Sequence, residues 1–146
     1  MLRGNAPAKI DDKGRLKVPN AFRVVIQRDH GSNLYVTSLT GQSVRIYPMP
    51  VWAEIERKLT QVPSTHPARQ RFLDRVNFYG QVGELDMQGR VVIHPRLRDS
   101  AQITGDVDVL GQQSYLEVWN HDRLVAKLAA EPFTDEDAKA LSEFGI

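Results

Sequence analysis

Lys9-Ile10-Asp11-Asp12-Lys13-Gly14-Arg15-Leu16-Lys17-Val18-Pro19 returns 75 positions later as Glu84-Leu85-Asp86-Met87-Gln88-Gly89-Arg90-Val91-Val92-Ile93-His94. Asp, Gly and Arg coincide, and the apolar pairs Ile10/Leu85, Leu16/Val91 and Val18/Ile93 keep their places. Ile10, then Asp11-Asp12-Lys13-Gly14, then Leu16 and Val18 predict strand, tight turn and strand. Gly14 and its counterpart Gly89 supply the positive φ that such a turn often demands, with no Cβ to clash. The aspartate that opens each turn, Asp11 or Asp86, accepts hydrogen bonds from N–H groups two or three residues on. Alternation puts Leu16 and Val18 on one face and Lys17 on the other. Pro19 and Pro95 close these strands, because proline has no N–H to donate into a continuing ladder.

Outward from the turn the duplication continues. Phe22-Arg23 matches Leu97-Arg98 at the same offset, and Arg96 to Ala101 reads as one short helical turn. Ser43-Val44-Arg45-Ile46-Tyr47 answers to Tyr115-Leu116-Glu117-Val118-Trp119. In the first copy, strands over Leu34–Thr37 and Ser43–Tyr47 flank a loop at 39–42. In the second, strands over Asp106–Leu110 and Leu116–Trp119 flank a loop at 111–114. Each copy then enters a helix, Val51–Leu59 or Asp122–Ala130. A unit of two hairpins and a short helix is too small to bury a strong core alone. Two such units paired about a pseudo-twofold axis bury each other's apolar faces. The expected class is therefore α+β, mainly β with helices, in one pseudo-twofold domain.

Four segments follow from this pattern: a first repeat over 1–50, a helical connector over 51–78, a second repeat over 79–130, and an acidic tail over 131–146. In the connector, Trp52, Ile55 and Leu59 form an apolar stripe at helical spacing. After the break at Val62-Pro63, a second helix over Ala68–Phe78 turns Phe72, Leu73 and Val76 inward and Arg69, Arg71 and Arg75 outward. Trp52 and Trp119 are expected in the core.

Composition narrows the function. The 146 residues include 41% hydrophobic and 25% charged residues and no cysteine, so disulfides, thiolate metal sites and cysteine nucleophiles are excluded. The N-terminus lacks the layout of a signal peptide, and no apolar run reaches the roughly 20 residues of a membrane span. A cytoplasmic protein is expected. The net charge of +1 is unevenly spread. Residues 1–30 hold seven cations against three anions, and residues 57–76 hold five against one. The tail from Glu131 holds five anions against one cation. That asymmetry suits a basic face for a polyanion and an acidic tail kept away from it. The histidines His30, His66, His94 and His121 form no i, i+4 pair, and neither a nucleophile elbow nor a phosphate-binding glycine loop occurs. No catalysis, metal or cofactor is expected.

Arg3-Gly4, the turn Asp11–Arg15, Val18-Pro19, Tyr35-Val36-Thr37, Arg45-Ile46-Tyr47-Pro48 and the second turn Asp86–Arg90 together resemble the MraZ family, from Met1 to about Leu128. His94 departs from the family's pattern, which commonly has an apolar residue or proline there. The resemblance implies two tandem AbrB-like swapped-hairpin β-barrel units. It further implies a nucleoid-associated regulator of the division and cell-wall gene cluster, including its own promoter, acting as a ring-shaped homo-oligomer on short direct repeats of double-stranded DNA. In the family the first hairpin of the first copy faces DNA. Carried over, this names Lys13, Arg15 and Lys17, with Arg3 and Lys9 nearby. Lysines suit phosphates and arginine suits guanine. Arg15 has a second reading, as a brace tied to Asp11. In the second copy Lys9, Lys13 and Lys17 become Glu84, Gln88 and Val92, while Asp86, Gly89 and Arg90 remain. That copy is expected to be mainly structural, with Asp86 and Arg90 bracing their turn. The rival to a DNA binder is an antitoxin-like or scaffold module that binds protein.

Overall fold

The computed structural model describes residues 1–146. The first copy comprises β1 (Leu2–Ile10), β2 (Arg15–Lys17), α1 (Asn20–His30), β3 (Asn33–Thr37) and β4 (Val44–Pro48). Two helices follow, α2 (Met49–Leu59) and α3 (Pro67–Phe78). The second copy comprises β5 (Gln81–Glu84), β6 (Arg90–Val92), α4 (Pro95–Ala101), β7 (Gly105–Gln113) and β8 (Leu116–Asn120). Last come α5 (His121–Ala130) and α6 (Asp135–Ser142).

All eight strands form one antiparallel sheet, in the order β5-β3-β4-β8-β7-β1-β2-β6. Its outer strands β5 and β6 flank the second turn, where Asp86 N–H donates to Arg90 O at 2.9 Å, so the sheet curls into a nearly closed barrel. The copies are interleaved rather than placed side by side. β1 of the first copy pairs along its whole length with β7 of the second, and β3 pairs with β5 in the symmetry-related way. Two ladders lie on the pseudo-twofold axis itself. In the β2–β6 ladder Leu16 faces its own counterpart Val91, and in β4–β8 Arg45 faces its counterpart Glu117. This is the mainly β, α+β class expected from the repeat, in the tandem swapped-hairpin barrel that the family resemblance implies.

Interleaving gives both copies one core. Twenty buried side chains form a single cluster, including Leu16 with Val91, Val18 with Ile93, and Phe22 with Leu97. A satellite cluster of Tyr47, Trp52 and Val76 seats the connector helices on the barrel. There Trp52 stacks on Tyr35 at 4.7 Å between ring centroids, and the Tyr35 and Thr37 hydroxyls both donate to Val76 O, at 3.0 and 2.7 Å. Trp52 and Trp119 are buried as expected. Proline opens the helices: Pro50, Pro67 and Pro95 occupy first-turn positions of α2, α3 and α4, where the missing N–H costs nothing.

Three local expectations need correction. The loop at 111–114 is strand as far as Gln113, and the reversal lies at Ser114 and Tyr115. Gly111 marks a close backbone approach instead of a loop, since a Cβ there would fall 2.6 Å from Leu2 C. The N-terminal residues, read only as far back as Lys9, form a nine-residue strand beginning at Leu2. Arg69 does not point freely outward; it is half-buried and its Nε donates to Leu59 O at 3.1 Å, capping α2. The acidic tail holds the helix α6, opened by a capping box between Thr134 and Asp137.

Candidate nucleic-acid interface

The two turns are built atom for atom alike. In the first, Asp11 Oδ1 accepts from Lys13 N–H at 3.0 Å and Arg15 N–H at 2.8 Å, and Oδ2 accepts from Arg15 Nε at 2.7 Å. In the second, Asp86 Oδ1 accepts from Gln88 N–H at 2.8 Å and Arg90 N–H at 2.9 Å, and Oδ2 accepts from Arg90 Nε at 2.9 Å. Gly14 N–H and Gly89 N–H each donate to their aspartate's carbonyl at 3.0 Å, with φ of 80° and 77°. The backbone N–H of Arg15 or Arg90, aided by the guanidinium on the other oxygen, holds each carboxyl below its ordinary range.

Each turn is then fastened to the other copy. Ile93 N–H donates to Gly14 O at 2.8 Å, and Val18 N–H donates to Gly89 O at 2.9 Å. The helix that follows each β2 or β6 strand lays an arginine over the opposite turn. A Cβ on Gly14 would sit 2.7 Å from Arg98 Cζ and from Ile93 O, and a Cβ on Gly89 would sit 2.7 Å from Arg23 Cδ. Neither turn therefore has room for a side chain at its glycine.

On this frame Lys13 is exposed at the tip of the first turn, and Lys17 is exposed on β2. Lys9 is exposed at the end of β1, its side chain 84% accessible, 3.9 Å from the equally open Asp106. Arg15 is half-buried, and only its Nε is engaged by Asp11. Arg3 lies apart. It shares the outer face of β1 with Lys9 but is six residues away, about 20 Å along the strand, opposite Gln112 of β7. The swapped ladder adds residues that sequence alone did not bring here. Lys17 faces Arg90 and Arg15 faces Val92, so all four share the outer surface of β2–β6. The repeat alignment held the signal for this, but only the pairing of β2 with β6 turns it into a contact.

Away from the turns, His94 Nε2 lies 2.9 Å from Tyr79 O, a hydrogen bond between the second copy and the end of α3. His121 Nδ1 lies 2.6 Å from Asp108 Oδ2, and Asn5 Nδ2 donates to Oδ1 of the same buried carboxylate at 3.3 Å. This hydrogen bond raises the imidazole above its usual range. The pair ties the start of α5 to β7 and lies outside the basic tip.

The family model described as "MraZ protein, putative antitoxin-like" matches residues 1–75 and 81–144. A protein of Acidobacterium capsulatum named Transcriptional regulator MraZ is 50% identical over the full length of both chains. Its namesakes in Koribacter versatilis and Herpetosiphon aurantiacus are 48% and 37% identical, again over the full length of both chains. These relatives are named as regulators of transcription rather than as enzymes. With the doubled turn, the interleaved barrel and a match along nearly all of its length, the chain belongs to the MraZ family.

Proposed function

We propose that the chain is a sequence-specific DNA-binding regulator of transcription whose first turn and β2 enter the major groove. One observation carries this reading. Two identical turn scaffolds differ in the residues they present, with Lys9, Lys13 and Lys17 on the first and Glu84, Gln88 and Val92 on the second. The bracing bonds are the same in both, so none of the three lysines is needed for the brace itself. A two-stranded ribbon fits the major groove, and an arginine edge pairs with guanine O6 and N7. Asp11 fixes the direction of Arg15 through Nε and leaves the terminal amino groups for a base edge. Lys9, Lys13 and Lys17 serve as phosphate contacts that set position without reading sequence. Arg3, at the far end of β1, is assigned to a flanking phosphate.

Targets and assembly belong to the same proposal. We assign the chain to the nucleoid, to the control of the division and cell-wall gene cluster including its own promoter, and to short direct repeats bound by a ring of copies. The family resemblance supports this, and so does affinity. A single tip makes few phosphate contacts, whereas several tips in one ring gain greatly from effective concentration. A partner-binding role in the manner of an antitoxin is the second reading. It is favoured by Phe133 and Phe144, 70% and 79% exposed beside α6.

Fluorescence anisotropy on the DNA upstream of the gene, against a scrambled duplex and across a salt series, separates the two. The wild type should prefer its own upstream DNA, with a log–log salt slope that grows by about 0.9 for each phosphate neutralised. Lys13→Ala/Arg15→Ala/Lys17→Ala should lose that preference while keeping its oligomeric state. Equal binding by both proteins would overturn the assignment of the first turn.

A further inference from the structure

Arg23 and Arg98 are pseudo-twofold counterparts, yet the chain uses them differently. Arg23 lies over the second turn with its hydrogen bonds made internally. Its Nη2 donates to Met87 O at 3.1 Å and its Nε donates to Gln27 Oε1 at 3.3 Å. Arg98 lies over the first turn, its Cζ and Nε both 2.7 Å from where a Gly14 Cβ would be. Its Nε is enclosed and has no hydrogen-bond partner. Arg98 also takes part in none of the chain's ion pairs.

The difference has a cause in the helices. Helix α1 runs on to His30, so Gln27 stands one turn beyond Arg23 and meets its guanidinium. Helix α4 stops at Ala101, and Gln102, the counterpart of Gln27, takes the left-handed conformation at φ 53°. Ile103 N–H closes the helix onto Arg98 O at 2.9 Å. The partner that satisfies Arg23 is thereby turned away from Arg98. The enclosed Nε is out of a ligand's reach, but the terminal amino groups of the half-buried side chain also have no partner in the chain. A charge-assisted bond from them to an anion offsets part of the cost of an unpaired, partly desolvated guanidinium.

We infer that Arg98, supplied by the second copy, is a DNA-contacting residue of the first turn, its guanidinium binding a backbone phosphate beside the one met by Lys13. The inference rests on the proposed DNA reading of the first turn. It also changes the part played by the second copy, which contributes a cation to the reading surface besides its structural role. Sequence-specific contact stays with Arg15; Arg98 sets where the tip rides on the phosphate chain.

The test compares Arg98→Gln, Arg98→Lys, Arg23→Gln and the triple variant Lys13→Ala/Arg15→Ala/Lys17→Ala by anisotropy on the same upstream duplex. The salt series is repeated for each, and thermal unfolding and oligomeric state are followed alongside. Arg98→Gln should bind at least about fivefold more weakly, with a salt slope reduced by about 0.9 for each engaged tip. Arg98→Lys should restore most of the slope, and Arg23→Gln should leave it unchanged. An unchanged slope in Arg98→Gln, with or without a loss of affinity, overturns the inference, since a merely structural arginine leaves the phosphate count alone. If Arg98→Gln fails to assemble, Arg98→Met, which keeps the apolar stem and removes the charge, decides: a slope reduced by about 0.9 for each engaged tip supports the inference and a wild-type slope overturns it. If the triple variant binds as the wild type does, the reading of the first turn falls, and this inference with it. If the triple variant fails and Arg98→Gln does not, only this inference falls.

Discussion

Asp11 and Asp86 each gather three donors onto one carboxylate, and this bonding carries a dependence on pH. Both carboxyls are held below their ordinary value of 3.8 in the folded chain. A lowered acid stabilises the fold above its unfolded value, and that contribution disappears as pH falls through the folded value. Acid unfolding followed by circular dichroism should therefore be shallower below pH 3.8 for Asp11→Asn/Asp86→Asn than for the wild type; superposable slopes would contradict the brace. Gly14→Ala should lose about 1–3 kcal/mol from the left-handed backbone alone, and more from the clash with Ile93 O. Gly4→Ala should be milder, because its positive φ faces open space; urea midpoints compare the two. These turn residues were legible because Asp, Gly and Arg recur at fixed spacing. The pairing of Lys17 with Arg90 was not, since it depends on which strand of the other copy lies alongside.

At the scale of elements, the ladder on the pseudo-twofold axis concentrates the stability. Leu16 is fully buried against Val91 where the two copies meet. Leu16→Ala should cost about 2–5 kcal/mol in urea unfolding and weaken both turns together; a loss confined to the first turn would show the copies to be independent. The His121–Asp108 pair gives an opposite pH dependence. Its imidazole is raised by the hydrogen bond to Asp108, so its contribution is complete below 6.5 and is lost as pH rises through the folded value. The melting temperature of the wild type should exceed that of His121→Gln most clearly below pH 6.5, with the gap closing in alkali; parallel curves would sink this account. Most strand and helix positions were legible from periodicity; α1 and α6 were not read as helices, and two strands were hidden by their composition. β1 hides behind Gly4 and Pro7, which discourage a strand reading, and β7 runs through Gly111, which resembles a loop residue. In both cases the long β1–β7 ladder overrides local preference.

At the scale of the whole molecule, duplication has put two turns of different charge on one symmetric frame. Symmetry preserves what holds the barrel together: the braced turns, the reciprocal bonds at Gly14 and Gly89, and the shared core. It is broken at Lys9, Lys13 and Lys17, for which we propose contact with DNA, at the unpaired Arg98, and at the acidic α6. The repeat was legible as a repeat; that its halves interleave, so that the second copy's residues stand beside the first turn, follows from strand pairing alone. The most direct measurement gives the first turn the second turn's residues, Lys9→Glu/Lys13→Gln/Lys17→Val. Its binding to the upstream duplex is then measured by anisotropy, with melting temperature and oligomeric state as controls. A variant that melts and assembles like the wild type but no longer prefers its own DNA is the predicted result. Wild-type affinity and salt slope in that variant would contradict the claim that the first turn reads DNA.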